Sequence, residues 1–546
     1  MTMIRHVIKY LLFSLFCVLF PVLVYSQQET KSIPKEWHLL DPEQDQFQGI
    51  SIERTYNSLL KDQPSKTVVV AVIDSGVDIN HEDLMGSIWI NEDEIPDNGI
   101  DDDNNGYIDD VHGWNFIGGK DGNVNEDTDE LTREYVRLKK MFEGVDDNKI
   151  PKRQKSEYEN YQRTKAKFEK LVEKNTEQYE LYNNLYKNVS LSVDTLKTLI
   201  GVATLSKEAV EQFNSSEPTL LFAKGFVLNI FRNIGPENDL EEFLSELKEA
   251  ADHFERIVKY GYNEEFDPRS IVGDDYNNPY EKGYGNNDVR GPDAMHGTHV
   301  AGIIAANRKN EIGSRGIADN VKIMSVRAVP NGDERDKDVA NAILYAVDNG
   351  AQVINMSFGK STSPLKEVVD KAVKYAERKG VLLIHAAGND SDDIDVKKNF
   401  PNRFYTDGTE VKNWIEVGAS SFGADADFVG SFSNFGKKSV DVFAPGVEIF
   451  STLPDNKYKK LDGTSMACPV TTGVAALLFS YFPELTALEV KQILLESTRK
   501  FDNLTVSKPG NKGEARFSEL SKTGGLINAY QAVQLAQDFK HKKITK

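Results

Sequence analysis

The sequence predicts an α/β fold: a parallel sheet with helices on both faces, interrupted by a mostly helical insertion. Three observations predict it. After His296, apolar β-branched runs of strand length alternate with segments of helical period, the pattern of a parallel sheet covered on both sides. Glycines punctuate the alternation, as at Gly350 and Gly380. Between about Asp121 and Tyr284 the texture changes to Lys-, Glu-, Tyr- and Gln-rich sequence with apolar residues at helical spacing.

The elements follow in order. Lys66 to Ile73 is an apolar β-branched run, read as a buried strand that ends at Asp74. Leu131 to Tyr186, Val227 to Ile234 and Leu240 to Tyr260 carry the helical pattern of the insertion. Val321 to Val329 reads as a strand, and Asp338 to Asp348 as a helix stopped by Gly350. Ala351 to Phe358 is a strand, Pro364 to Arg378 a helix stopped near Gly380, and Val381 to Ala387 a strand. Trp414 to Ala419 and Val440 to Phe443 read as later strands. Ser465 to Phe482 is a small-residue helix, buried by its Ala475-Ala476-Leu477-Leu478 run, and Leu485 to Ser497 and Ile527 to Phe539 are terminal helices.

A chain of 546 residues has room for more than one domain. With 39% hydrophobic and 27% charged residues it has the composition of a soluble globular protein. Asp and Glu number 85 against 65 Lys and Arg, which argues against nucleic acid as the main partner and is compatible with bound divalent cations.

Residues 1–26 have the grammar of a signal peptide: Arg5 and Lys9 as a basic start, an apolar run from Leu11 to Val24, and a cleavage position near Ser26. The run is short for a membrane span. The expectation is an exported protein, periplasmic or extracellular, with no stable span after cleavage; the alternative is an uncleaved anchor. Cleavage removes Cys17 and leaves Cys468 alone, so the mature chain would have no internal disulfide.

Three segments carry chemistry: Val70-Ala71-Val72-Ile73-Asp74-Ser75-Gly76, His296-Gly297-Thr298-His299-Val300-Ala301-Gly302 and Gly463-Thr464-Ser465-Met466-Ala467-Cys468-Pro469. They supply an acid, a base and a hydroxyl nucleophile. A serine hydroxyl is a weak nucleophile and needs an adjacent base. A neutral imidazole can take its proton and return it to a leaving amine. A buried aspartate orients that imidazole and stabilises its cation. Each segment alone has another reading. Asp74-Ser75-Gly76 could be half of an aspartic protease, but the second such motif is missing. His296 and His299 could be core or metal histidines, but no His-Glu-x-x-His is present. Gly463-x-Ser465-x-Ala467 resembles a nucleophile elbow, but the only later histidine is His541, in a charged tail.

Taken together, the segments resemble the subtilases, whose chain order is Asp, His, Ser. The likeness covers about Trp37 to Phe116 and Tyr284 to Leu535. It implies a subtilisin-like parallel-sheet sandwich and a serine endopeptidase that hydrolyses peptide bonds through an acyl-enzyme. It implies Asp74, His296 and Ser465 as the triad and Asn389, in Ala386-Ala387-Gly388-Asn389, as an oxyanion donor beside the Ser465 N–H. It also implies that Ser357, Phe358 and Gly359, with Gly388, line a channel where a peptide pairs as an added strand. The chemistry would need no cofactor; the partners would be protein or peptide substrates. An exopeptidase or narrow processing peptidase gated by the insertion is the alternative enzyme, and a catalytically silent peptide-binding homologue the alternative of another class.

Asp97 to Asp110 is an acidic, glycine-containing loop. Asp101, Asp103 and Asn105 fall at alternate positions, with Gly106 next and Asp109 further on, and hard oxygen ligands in this spacing suit Ca²⁺. The position that a bidentate glutamate would fill in an EF-hand is His112, so the expectation is an isolated structural Ca²⁺ loop. The domain expectation is a discontinuous catalytic domain, 27–120 and 284–540, a helical insertion, 121–283, and a tail, 541–546. The insertion enters between two catalytic segments, which places its ends near the active-site face and suggests that it narrows the cleft. With only a few tens of residues between Ser26 and the first strand, the expectation is that the long folding propeptide common in secreted subtilases is missing, the enzyme folding without one or the insertion substituting for it.

Overall fold

The structure is a computed structural model and describes residues 33–234 and 239–544; the expected signal peptide and its cleavage position lie outside these. The chain forms two compact units, one built from Thr132–Phe266 and the other from residues 33–131 and 267–544.

The second unit is built on a nine-stranded sheet. In chain order its strands are β1 (Val68–Asp74), β2 (Gly113–Asn115), β3 (Val321–Arg327), β4 (Val353–Met356), β5 (Leu382–Ala386), β6 (Trp414–Ser420) and β7 (Val442–Pro445). A hairpin of β8 (Ile449–Leu453) and β9 (Lys457–Leu461) stands outside the sheet. Two short strands, β10 (Arg499–Lys500) and β11 (Gly525–Leu526), complete the sheet in the spatial order β10-β11-β7-β6-β5-β4-β1-β3-β2. Every pairing in it is parallel except β10 with β11.

Six helices cover the sheet: α1 (Met295–Ala305), α2 (Asp336–Asp348), α3 (Lys366–Lys379), α4 (Thr464–Tyr481), α5 (Ala487–Glu496) and α6 (Ala529–Ile544). Side chains alternate across a strand, and the two cores show it. Val70, Val72, Ile323 and Ile384 face the layer holding α1 and α4, whereas Ala71, Ile73, Val326 and Leu383 face α2 and α3. Burial on both faces is why these strands read as continuous apolar runs. The helix ends follow local chemistry. Gly380 takes the left-handed conformation that ends α3. Thr486 and Glu489 form a capping box that starts α5. Helix α4 has the length and composition to cross a membrane, but it is almost wholly buried and is the central helix of the core.

The helical unit has its own core. The helix Lys155–Ile200 contributes Tyr182, Val189, Val193 and Leu196, and Pro218–Ile234 and Leu240–Arg256 supply Val227, Ile230, Phe243 and Leu247. The helical run expected from Leu131 to Tyr186 is broken, because one helix ends at Phe142 and the next starts at Lys155. Gly144 adopts positive φ and Pro151 caps a short turn between them.

The insertion boundaries differ from the expected 121–283. Residues 121–131 and 267–283 pack with the sheet unit. Buried ion pairs hold them there. Arg335 binds Asp127 and Asp267 with one guanidinium, Arg269 binds Asp274 and Asp338, and Lys337 binds Asp274 and Glu281. Most of these pairs join residues distant in sequence, as Arg335 with Asp127 and Arg269 with Asp338, and no periodicity in the chain announces them.

Candidate active site

In a parallel sheet the carboxyl ends of the strands lie on one edge, where functional side chains collect. Asp74 is the last residue of β1, and Ser357 follows directly on β4, the strand beside it. His296 lies in the first turn of α1. Its Nδ1 is 2.7 Å from Asp74 Oδ1, which also accepts the Ser75 N–H at 2.8 Å. Asp74 is 1% exposed, while a third of the His296 side chain is open to solvent. The close approach needs Gly297: a Cβ there would lie 2.2 Å from the Gly76 carbonyl oxygen.

Burial on its own would lower the His296 pKa. The Asp74 carboxylate, by charge and hydrogen bond, and Asp293 more weakly, outweigh it and raise the value above that of an ordinary imidazole. His299 behaves oppositely. It is fully buried, with Nε2 3.0 Å from the Lys459 carbonyl in β9, and burial brings its pKa to about 4. It holds the hairpin to α1 as a neutral side chain.

Ser465 stands in the first turn of α4, where backbone N–H groups have no partner in the helix. Four residues on is Pro469, which has no N–H to give to the Ser465 carbonyl. That carbonyl instead accepts the Ser357 hydroxyl at 3.0 Å, and the Ser465 hydroxyl donates to the Ser357 carbonyl at 3.0 Å. The two serines are therefore clamped reciprocally, and the Pro of the third motif is what frees the acceptor. Asn355 supports the clamp: its Nδ2 donates to Ser357 Oγ, and its Oδ1 accepts from Thr472 and from the Cys468 thiol. Cys468 is fully buried and burial pushes its pKa up, so it packs as an inert thiol.

Asn389 follows Gly388 in the loop after β5. Its Oδ1 accepts both the N–H and the hydroxyl of Thr464 at 2.9 Å, and Thr464 Oγ1 in turn accepts the Gly388 N–H at 3.1 Å. With the oxygen occupied, the amide Nδ2 is the end left to face outward. A Cβ placed on Gly463 would lie 3.5 Å from the Ser465 nitrogen and 3.6 Å from Asn389 Nδ2, so both donors border one small space. Phe358 is partly buried, Gly359 is exposed, and the next residue, Lys360, is buried against Glu130 and Asp336. Asn399 lies between the Gly359 and Gly388 segments: a Cβ on Gly359 would meet its side chain at 2.9 Å, and one on Gly388 would meet Asn434 at 2.5 Å and Asn399 at 3.3 Å. Sequence reasoning missed Asn355, Asn399 and Thr464. Thr464 lies inside the third motif and was open to notice; the other two carry no pattern of their own.

The acidic loop gathers fewer of its expected ligands. Carboxylate oxygens of Asp101, Asp103 and Glu94 lie within 4.8 Å of one another, and Glu94 was not anticipated. Asp109 turns elsewhere and accepts the N–H groups of Asn98 and Gly99. Asn105 is taken up by hydrogen bonds, its Nδ2 donating to Asp103 and Asp110 and its Oδ1 accepting from Tyr107.

A family model described as the subtilase family matches residues 65–516. A thermophilic serine proteinase of Bacillus sp. strain AK1 is 35% identical over 305 residues, 55% of this chain and 66% of that one. Subtilisin DY of Bacillus licheniformis is 37% identical over 203 residues, 36% of this chain and 68% of that one. Thermitase of Thermoactinomyces vulgaris is 36% identical over 245 residues, 44% of this chain and 75% of that one.

Proposed function

The chain belongs to the subtilase family, and on that premise we propose that it is an exported serine endopeptidase working through an acyl-enzyme. The observation that carries the reading is the 2.7 Å pair of His296 with a buried Asp74 at the end of β1, beside the strand β4 whose following residue, Ser357, is bonded to Ser465. Ser465 Oγ turns from the Ser357 carbonyl toward His296 Nε2, gives up its proton there, and attacks the scissile carbonyl carbon. Asp74 holds Nδ1–H and stabilises the imidazolium. The developing oxyanion takes hydrogen bonds from the Ser465 N–H and Asn389 Nδ2. His296 then protonates the leaving amine, and water repeats the sequence on the ester, releasing the acid and restoring Ser465. Ser357, Phe358 and Gly359 offer backbone groups to an extended peptide, with Gly388 beside them. Export rests on the basic start and apolar run of residues 1–26.

Ca²⁺ is the cation that suits the trio of Glu94, Asp101 and Asp103. Both oxygens of each carboxylate accept hydrogen bonds within the loop region, Asp101 from the Asn105 and Gly106 N–H groups, Asp103 from the Asn105 N–H and the Asn91 and Asn105 amides, and Glu94 from the Asp102, Asp103 and Asp109 N–H groups, so a cation would use their remaining lone pairs. Three carboxylates so close repel one another unless a cation compensates them. The ion would be structural and takes no part in the bond-breaking steps.

A fluorophosphonate probe on purified wild type and Ser465→Ala, run beside degradation of an unstructured protein, tests the reading. Labelling and cleavage in wild type, both lost in the variant, are expected. Folded wild type that takes no label, or labelling that survives Ser465→Ala, overturns it.

A further inference from the structure

Arg327 ends β3, directly opposite Asp74 in the parallel register, and is 1% exposed. Its guanidinium reaches three separate stretches of chain. Nε donates to the Ser75 carbonyl at 2.7 Å, Nη1 to Asn115 Oδ1 at 3.1 Å, and Nη2 to the Val124 carbonyl at 2.5 Å. All three acceptors are neutral. The other buried arginines of this unit, Arg269, Arg335 and Arg403, each sit against carboxylates. Burial lowers the Arg327 pKa to about 10, with Asp288 and Asp293 pulling the other way, so the group stays charged at neutral pH.

A buried guanidinium bonded only to neutral acceptors is costly to keep even with Asp288 and Asp293 nearby, and its placement points to a use. Its Ser75 contact fixes the turn that follows Asp74. Ser75 gives its N–H to Asp74 Oδ1, the same oxygen that holds His296. The arginine stem also runs against Gly291: a Cβ there would lie 2.2 Å from Arg327 Nε. Gly291 opens the short stretch that leads into α1 and His296. One rigid fork thus touches the turn on the acid side and the lead-in on the base side.

We propose that Arg327 is a positioning residue that holds Asp74 and His296 in register by clamping the Ser75 turn against the Gly291 lead-in. This rests on the reading of Asp74, His296 and Ser465 as a catalytic triad. A lysine keeps the charge but has no planar fork, so it can serve only part of the clamp. A methionine keeps much of the bulk and serves none of it.

The test uses the full-length protein as wild type, Arg327→Lys and Arg327→Met. Three quantities are read: kcat and KM on a peptide substrate, the low-field proton resonance of the His296 Nδ1–H, and thermal melting. In Arg327→Met kcat is expected to fall about 10–100-fold, the scale set by a misplacement of reacting groups. KM should stay within about twofold, since the substrate channel is untouched. The low-field resonance should broaden away, and Arg327→Lys should recover part of both losses. A folded Arg327→Met protein with wild-type kcat, a loss carried by KM, or an unchanged resonance overturns the proposal. If Arg327→Met does not fold, Arg327→Lys decides: lowered kcat at constant KM supports the clamp, and wild-type kcat refutes it. Wild type that fails to label with fluorophosphonate refutes the peptidase reading instead, and the resonance still reports whether Arg327 holds the pair.

Discussion

Replacing Asp74 by Asn removes one charge and leaves the shape of the site almost unchanged. The carboxylate is buried, and its Oδ1 is 2.7 Å from His296 Nδ1. For charge centres about 4 Å apart at an effective dielectric of about 20, the attraction for an imidazolium is about 4 kcal/mol. At about 1.36 kcal/mol per decade, that is about three decades in the rate of a step that protonates His296. The Asn amide can also favour the wrong imidazole tautomer, so a loss of about 10³–10⁴ in kcat is expected. The pH profile gives a second, independent sign. Asp74 is the main cause that raises the His296 pKa, and burial opposes it. Without Asp74 the ascending limb of kcat/KM, which reports neutral His296, moves to lower pH. Stability shifts in the matching sense. In wild type, protonated His296 adds stability below its unfolded value, near 6.5, and the increment is lost as pH rises through the raised folded value. The gap between wild-type and Asp74→Asn melting temperatures should therefore narrow on crossing that range. The assay is kcat/KM on a chromogenic peptide from pH 5 to 9 with melting curves at the same points, a window of about two units either side of an ordinary imidazole. A loss below about tenfold, or an ascending limb that stays put or moves up, refutes the electrostatic account of the pair.

Asn389→Ala removes one of two donors and should lower kcat by about 10²–10³, the scale of one oxyanion hydrogen bond (a figure known from a subtilisin), with KM little changed; a loss confined to KM would place Asn389 in binding only. Ca²⁺ at about a hundred times its dissociation constant should add about 2.7 kcal/mol of stability, read as a rise in melting temperature that chelator reverses; a Glu94→Gln protein that gains as much as wild type would rule out the Glu94, Asp101 and Asp103 site. Excision of residues 132–266 with a short linker should leave a folded protein that labels with fluorophosphonate, because Arg335 holds both Asp127 and Asp267 and keeps the two stems close. Excision of 121–283 should not fold, because it strands Asp338 and Lys337 as buried charges at about 3–5 kcal/mol for each broken pair; equal solubility and melting of the two would contradict the role given to that network.

Local sequence patterns carried the parallel α/β sheet and pointed to Asp74, His296, Ser465 and Asn389 as a candidate site. Both are local properties. Strands buried on two faces need unbroken apolar runs, and glycines mark where a helix must end or a backbone must come close, as at Gly297 under His296. The short strands β2, β10 and β11 escaped notice because two or three residues exert no periodicity, and the β8–β9 hairpin because it carries Lys457, Lys459 and Lys460 rather than an apolar stripe. The loop residues Asp101 and Asp103 were legible from alternation, but Glu94 entered the cluster only through the path of the chain. The same holds for Asn355 beneath the two serines, Arg327 behind Asp74, and the ion pairs that return 267–283 to the sheet unit. Each is a polar side chain with at least one partner far off in sequence, as Asn355 with Thr472, Arg327 with Ser75 and Arg269 with Asp338. Its position is fixed by the need to satisfy a buried charge or donor, and that need exists only once the chain has folded.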